Sequence, residues 1–171
     1  KVYEVEGNHD VRYFDHDGAL LYKDMGIGPV YLEVFPRGKT GTYVMSDDVQ
    51  IIRDKTFNYS NISKLVIGKG VTSVARYGFY YCKQLTDIEF TDGRTETITF
   101  DKQAFLGCGA LTSLELPVTF NMESADLMAI LTGISKLDTI KVEQGNANYG
   151  MRGQMLTNAN GTQIVYCPRS Y

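Results

Sequence analysis

The chain has 171 residues, of which 43% are apolar and 22% are charged, and its formal net charge is −3. This length suits a single domain and this composition excludes general disorder, while no apolar run approaches the roughly 18 residues of a membrane helix. The acidic balance argues against a nucleic-acid partner, and three Cys without a Cys-x-x-Cys pair cannot form a closed disulfide framework. We therefore expect a folded monomer that does not insert into a membrane.

The first predicted element is a β-hairpin near the start of the chain. The opening residues are polar and lack the apolar run of a signal peptide. An apolar stretch follows Gly18, and a second one is stopped by Pro36, which is typical of two short strands joined by a turn. A similar pattern from Gly153 to Pro168, with a turn at Asn160, predicts a second hairpin.

Between the hairpins, one apolar pattern recurs four times. In its complete form it consists of Val71, Val74, Phe79, Cys82, Leu85, Ile88 and Phe90. Matching positions are Val49, Ile52, Phe57, Ser60, Ile62, Leu65 and Ile67 upstream, then Phe100, Phe105, Cys108, Leu111, Leu114 and Leu116, and finally Leu131, Ile134, Leu137, Ile140 and Val142. Self-similarity at 23–26 residues is typical of a solenoid, in which stacked units share a continuous core.

The spacing inside each unit predicts its local structure. The alternating apolar residues at the end of the unit indicate a strand with one buried face. We expect the inward positions to include Leu65, Ile67, Leu85, Ile88, Phe90, Leu111, Leu114, Leu116, Leu137, Ile140 and Val142. Phe57, Phe79 and Phe105 should fill the interior turn by turn, with Cys82 and Cys108 beside them.

The last unit differs from the others because residues 124–131 are good helix formers. Ser124 is a candidate N-cap, Asp126 lies in the first turn and Gly133 follows the end. This pattern predicts a short helix in place of a strand.

These motifs resemble the BspA-like (Treponema pallidum type) leucine-rich repeats, whose unit reads roughly V-T-S-I-G-x-x-A-F-x-x-C-x-x-L-T-S-I-x-I-P. The matching segments here are Val71-Thr72-Ser73-Val74, Ala104-Phe105-Leu106-Gly107-Cys108 and Leu111-Thr112-Ser113-Leu114-Glu115-Leu116-Pro117. The chain departs from the pattern at Gly78, which replaces the usual Ala, and at Ser60 and Ile134, which replace Cys.

The resemblance implies a β-rich leucine-rich-repeat solenoid with a minor helical part, and we expect its repeats to stack with right-handed connections. Residues 1–42 are expected to form a hairpin cap, residues 43–145 about four repeats in one domain with that cap, and residues 146–171 a hairpin that begins a further module. The resemblance also implies a secreted or cell-surface protein that binds host proteins, other cells or glycans without catalysis. A structural spacer in a larger surface protein and an accessory domain of an enzyme stay open as alternatives.

Two ladders of outward side chains are candidates for binding. If the strands stack in parallel, equivalent residues lie about 4.8 Å apart. One ladder is Val66, Glu89, Glu115 and Lys141, and its neighbour is Lys64, Asp87, Ser113 and Thr139. The acidic patch at Glu89, Glu115 and Asp87, next to Lys64 and Lys141, suits a basic peptide or a cation. The alternative is a solvated sheet face with weak ion pairs.

Four tyrosines are a second candidate. Tyr59 and Tyr81 occupy equivalent positions one repeat apart, with Tyr77 and Tyr80 nearby. Exposed Tyr combines a rigid ring with a polar tip, which suits recognition. The alternative is that these rings only cover the turns of the stack.

The remaining reactive residues indicate neither catalysis nor a cofactor. Cys82 and Cys108 share one repeat position and are expected to be buried free thiols, with a disulfide between stacked repeats as the alternative. Cys167 aligns with Phe35 as an ordinary strand residue. Asp15-His16-Asp17 lacks further ligands and His9 stands alone, so no metal is expected. No Gly-x-Ser-x-Gly, P-loop, Gly-x-Gly-x-x-Gly or His-Glu-x-x-His motif occurs.

Overall fold

A computed structural model of the protein describes residues 2–4, 11–24 and 28–168. Over these residues the chain is rich in β structure and has one short helix. The strands are β1 (Val2–Glu4), β2 (Val11–His16), β3 (Ala19–Asp24), β4 (Val30–Val34), β5 (Thr40–Val44), β6 (Ile51–Ile52), β7 (Asn61–Ile67), β8 (Ser73–Val74), β9 (Asp87–Phe90), β10 (Thr99–Phe100), β11 (Ser113–Leu116), β12 (Thr139–Val142), β13 (Tyr149–Arg152), β14 (Met155–Asn158) and β15 (Ile164–Tyr166), and the helix is α1 (Ser124–Thr132).

The strands form three sheets. The long sheet has the order β1-β2-β3-β4-β6-β8-β10; its pairs from β1 to β4 are antiparallel and those from β4 onward are parallel. The repeat sheet has the order β12-β11-β9-β7-β5 and is parallel throughout. The antiparallel terminal sheet is β13-β14-β15. Both predicted hairpins are therefore present.

The chain alternates between the long sheet and the repeat sheet, which makes a β-solenoid of about five turns. Each turn consists of one element on the side of the long sheet followed by one strand of the repeat sheet. The five turns are β4 and β5, β6 and β7, β8 and β9, β10 and β11, and α1 and β12. The β-rich solenoid is thus confirmed, with one more turn than the four repeats seen in the sequence. The extra turn begins with β4, which is both the last strand of the first hairpin and the first parallel strand of the stack. The expected boundary at residue 42 falls within β5.

A column of aromatic rings runs through the core. Ring centroids of Phe35 and Phe57 lie 4.6 Å apart, those of Phe57 and Phe79 5.3 Å, and those of Phe79 and Phe105 5.1 Å. Each predicted core residue of the Phe, Cys, Leu and Ile positions is at most 5% exposed: Phe57, Phe79, Phe105, Cys82, Cys108, Leu85, Leu111, Leu137, Ile88, Leu114 and Ile140. Phe90 and Val142 are only partly buried and pack against this core.

The repeat-position thiols are part of a ladder across turns. Cys82 and Cys108 are free and buried. The Cys82 Sγ donates to the carbonyl of Phe57 at 3.0 Å, and the Cys108 Sγ donates to that of Phe79 at 2.9 Å. Cys167 is exposed and lies just after β15, so the expectation of a strand residue was wrong by one position.

The predicted helix replaces a strand of the long sheet in the last turn. It begins at Ser124, but the N-cap is Glu123, whose carbonyl accepts hydrogen bonds from the amides of Asp126 and Leu127 at 3.0 Å. The N-cap was therefore predicted one residue too late, because Ser124 is the first helical residue. Asp126 lies in the first turn and Gly133 at the C-cap, as the sequence indicated.

A buried arginine closes the longest turn between the repeat sheet and the long sheet. Arg94 is 5% exposed, and its guanidinium donates to the carbonyls of Gly68 at 2.8 Å and of Val71. Burial lowers the pKa of Arg94. Gly68 cannot be replaced without movement, because a Cβ there would lie 2.4 Å from the carbonyl oxygen of Ser46. Successive turns are therefore in close backbone contact at this edge.

Candidate functional site

The outer face of the repeat sheet contains both predicted ladders. Val66 pairs with Glu89, and Glu115 pairs with Lys141. In the neighbouring ladder, Lys64 pairs with Asp87, which in turn pairs with Ser113, and Ser113 pairs with Thr139. The register is therefore the one that the spacing of the repeats predicted.

The charges on this face largely compensate one another. Lys64 Nζ lies 2.8 Å from Glu89 Oε1, on the adjacent strand. Burial raises the pKa of Glu115, and the carboxylate of Glu89 raises it further, while Lys141 opposes this shift. Exposed ion pairs of this kind each contribute about 0–1 kcal/mol. Lys64 and Glu89 therefore form a weak, exposed ion pair on this face.

The predicted tyrosines come together where the chain passes from the long sheet to the repeat sheet. We call Tyr59, Tyr77, Tyr80 and Tyr81 the tyrosine cluster. The centroids of Tyr80 and Tyr81 lie 4.5 Å apart, those of Tyr77 and Tyr80 5.2 Å, and those of Tyr59 and Tyr81 5.6 Å. Tyr59 is 47% exposed and Tyr81 is 36% exposed, so the cluster forms part of the protein surface.

Backbone stacking holds the cluster in place. The Tyr59 amide donates to the carbonyl of Tyr80 at 2.9 Å, and the Tyr81 amide donates to that of Leu106 at the same distance. Tyr59, Tyr77 and Tyr81 have φ of 57°, 59° and 54°, in the left-handed region that bulky residues rarely adopt. The position equivalent to Tyr81 in the next turn is Gly107, with φ 83°, and the Tyr81 ring lies over it.

Three cations surround the tyrosine cluster. The Arg37 guanidinium lies 5.5 Å from the ring centroid of Tyr59, that of Arg76 4.6 Å from Tyr77, and the Lys83 ammonium 5.5 Å from Tyr81. Cations over aromatic faces are attracted by the ring quadrupole, by about 0.5–1 kcal/mol where exposed.

Hydrogen bonds to neutral side chains orient two of these cations. Arg37 donates to Asn58 Oδ1 at 2.9 Å and 3.2 Å. Arg76 donates to Gln103 Oε1 at 2.6 Å and to the Tyr77 hydroxyl at 2.9 Å. These partners are uncharged, so both guanidinium groups keep their charge available to an anionic ligand.

The phenol of Tyr80 stays protonated over the whole neutral range. Burial among its neighbours raises its pKa, and the phenols of Tyr59, Tyr81 and Tyr77 raise it further. Tyr80 therefore remains a hydrogen-bond donor as well as an acceptor. An open groove of about 520 Å³ lies next to the cluster, lined by Arg76, Phe100, Asp101, Lys102, Gln103 and Asp126.

A tyrosine stripe on the first hairpin was not anticipated. Tyr13 pairs with Tyr22, and Tyr22 pairs with Tyr31, with ring centroids 5.3 Å and 5.5 Å apart. The Arg53 guanidinium lies 4.3 Å from the Tyr31 centroid and forms an ion pair with Glu33 at 3.0 Å. The sequence signal was the placement of these rings at alternate, outward positions of their strands.

Neither a candidate metal cluster nor a membrane-spanning helix occurs in the part of the chain that the structure describes. Among the described residues, no three His, Cys, Asp or Glu lie close enough to hold a metal ion. His16 is described, with its ring 6.4 Å from that of Tyr43, while His9 lies outside the described residues. None of the described helices has the length and apolar character needed to span a bilayer.

Comparisons with known proteins agree with this architecture. The family model described as "BspA type Leucine rich repeat region (6 copies)" matches residues 39–159. Among curated proteins, no sequence matches the chain.

Three solved bacterial structures share the fold. A leucine-rich repeat protein from Bacteroides capillosus has 19% identity and a TM-score of 0.60, over 77% of this chain and 98% of that one. A leucine-rich cell surface protein from Faecalibacterium prausnitzii has 19% identity and a TM-score of 0.51, over 83% and 41%. A leucine-rich repeat protein from Eubacterium ventriosum has 17% identity and a TM-score of 0.50, over 94% and 49%. The chain thus spans less than half of the last two.

Proposed function

Since the chain belongs to the BspA-type leucine-rich repeat family, we propose that it is a non-catalytic binding module on the outer surface of a cell. Its partner is a protein or a glycan. The outer surface is supported by the family and by the similar fold of the F. prausnitzii cell surface protein.

The observation that carries this proposal is the conformation of the tyrosine cluster. A left-handed backbone costs roughly 1–2 kcal/mol for a residue that carries a Cβ. Gly107 adopts the same conformation in the next turn without that cost. Tyr59 and Tyr81 hold large, partly exposed rings at positions where glycine would serve the fold better. Such rings, next to Arg37 and Lys83, have the composition of binding hot spots.

A paired-variant binding experiment tests the proposal. The wild-type chain is applied to arrays of glycans and matrix proteins, beside Y59N/Y81N and E89K/E115K. Asn tolerates the left-handed region, so the first variant removes the rings without adding backbone strain. We expect Y59N/Y81N to lose captured ligands while its melting temperature stays close to wild type, and E89K/E115K to keep them.

Two results would count against the proposal. Loss of binding in E89K/E115K alone would place recognition on the repeat sheet instead of the tyrosine cluster. Failure of the wild-type chain to bind any arrayed ligand would favour a spacer that displays neighbouring segments of a longer surface protein.

A further inference from the structure

Charge is segregated between the two edges of the solenoid. The elbow edge comprises the segments that run from the long sheet to the repeat sheet: residues 35–39, 53–60, 75–86, 101–112 and 133–138. The return edge comprises residues 45–50, 68–72, 91–98, 117–123 and 143–148. The elbow edge contains eight Lys or Arg residues and three Asp or Glu residues. The return edge contains two Lys or Arg residues and six Asp or Glu residues. A chain with net charge −3 therefore has an edge of +5 and an edge of −4.

The cations of the elbow edge follow the axis of the stack. The first four turns contribute Arg37 and Lys39, then Arg53 and Lys55, then Arg76 and Lys83, then Lys102. Stacked strands are about 4.8 Å apart, so these charges extend over roughly 14 Å. The tyrosine cluster lies in the middle of this row.

Three cations in these four turns of the elbow edge are available to a ligand. The others in these turns are in ion pairs: Lys39 with Asp17, Arg53 with Glu33 at 3.0 Å, Lys55 with Asp54 at 3.6 Å and Lys102 with Asp126 at 2.7 Å. Arg37, Arg76 and Lys83 have no ion pair with any described residue. Their neighbours are aromatic rings and, for the two arginines, side-chain oxygens of Asn58, Gln103 and Tyr77.

We propose that the elbow edge binds a linear polyanionic glycan, with sulfated or carboxylated sugar units, that lies along the solenoid axis. This deepens the proposed function and rests on it. A row of cations matches a chain that repeats its negative charge, while exposed tyrosine rings and hydroxyls offer stacking surfaces and hydrogen bonds to sugar rings. The acidic return edge repels the same ligand, so binding is confined to one side.

A glycan fits this edge better than an acidic peptide does. Many extended peptides bind by adding a strand to an open sheet edge. The elbow edge presents turns whose backbone amides already bond to the next turn, as those of Phe57 and Tyr59 do, so it offers no strand edge. The adjacent groove of about 520 Å³ is open to solvent, so it does not enclose a single side chain.

The test measures binding to heparin, a sulfated polysaccharide, by chromatography and titration calorimetry. The charge variant R37Q/R76Q/K83Q is compared with the control K23Q/K69Q/K141Q, which removes three positive charges outside the elbow edge. We expect wild type to bind at about 0.1 M salt and to be released before about 1 M, because salt screens exposed charges. The charge variant should lose about tenfold or more in affinity. The control should stay within about twofold.

Further probes distinguish this inference from the proposed function. Y59N/Y81N should bind heparin more weakly but keep the salt dependence of wild type. If the charge variant and its control lose the same affinity for heparin, binding depends only on the net charge of the chain, and the inference is overturned. Tighter binding of poly-L-glutamate or of oligo-deoxythymidine than of heparin would also overturn it. If heparin fails but arrayed ligands still bind through the tyrosine cluster, the proposed function stands without this inference.

Discussion

Truncation of Phe79 tests whether the aromatic column stabilises the stack. The Phe79 ring is fully buried between Phe57 and Phe105, with centroids 5.3 Å and 5.1 Å away and interplanar angles of 29° and 13°. Replacement by Ala removes both contacts and leaves a cavity that the neighbouring turns fill only in part. The change therefore affects two interfaces between turns at once.

The expected cost is large for a single substitution. Removal of a buried Phe typically costs about 3–5 kcal/mol, and each aromatic pair adds about 0.5–1.5 kcal/mol beyond buried area. We expect F79A to lower the free energy of unfolding by about 4 kcal/mol, the middle of that range. Since one kcal/mol shifts the melting temperature of a domain this size by about 2–4 °C, the shift is about 8–16 °C.

Urea unfolding followed by circular dichroism measures this cost. The matched control is L106A, because Leu106 lies in the same turn but is 43% exposed and should cost less than about 1 kcal/mol. F79L, which keeps most of the buried volume, covers the case in which F79A does not fold. A cost below about 1.5 kcal/mol for F79A, or equal costs for F79A and L106A, would refute the role of the ring column.

Three further predictions address single sites. In the native chain, an aromatic disulfide reagent should react with one thiol, that of Cys167, and in denaturant it should react with three thiols. If only one thiol reacts in denaturant, Cys82 and Cys108 form a disulfide and the prediction of free thiols is wrong. E115Q should be slightly more stable than wild type at neutral pH, because the folded-state pKa of Glu115 is raised and stability is lost as pH rises through it. This difference should vanish below about pH 4, and its persistence in acid would contradict the argument. G107A should cost about 1–2 kcal/mol from the left-handed φ of 83° and should weaken ligand binding, since a Cβ there would lie 2.6 Å from the tyrosine ring above it. An unchanged melting temperature for G107A would contradict this.

The strand register of the repeat sheet could be predicted from the sequence alone. Side chains in strands alternate between two faces, so aligning the apolar positions of successive repeats also aligns the outward ones. The spacing of the repeats therefore predicts Glu115 opposite Lys141, and Lys64 opposite Asp87, as the structure has them. The buried Phe and Cys positions followed from the same spacing.

The first turn could not be recognised from the same pattern. Residues 40–44 are Thr-Gly-Thr-Tyr-Val and contain none of the spaced Leu and Ile of the other units. Tyr43 fills the core there instead, fully buried against Phe35 and Phe57. Burial raises the pKa of its phenol. In the sequence, the preceding strand β4 resembles the end of a hairpin. It is indeed the last strand of the first hairpin, and it is also the first parallel strand of the stack.

Part of the cationic surroundings of the tyrosine cluster was equally hidden, because it depends on contacts between turns. Arg37 reaches Tyr59 across 22 residues and Arg76 reaches Gln103 across 27 residues. Net charge also concealed them, since the return edge offsets the elbow edge. The left-handed backbone of the tyrosine cluster, in contrast, had a signal in the sequence. Tyr81 aligns with Gly107, and a glycine at a repeat position indicates a left-handed backbone there.

Amide hydrogen exchange with a heparin-derived oligosaccharide tests the central claim, that the elbow edge is the binding surface, most directly. The experiment compares exchange in the free chain and at a ligand concentration near the wild-type Kd, with the charge variant R37Q/R76Q/K83Q as the reference whose response should be several-fold smaller. We predict slower exchange in residues 53–60 and 75–86 of wild type, and no change in residues 45–50 and 91–98. Protection of the return edge or of the outer face of the repeat sheet, with the elbow edge unchanged, would contradict the account.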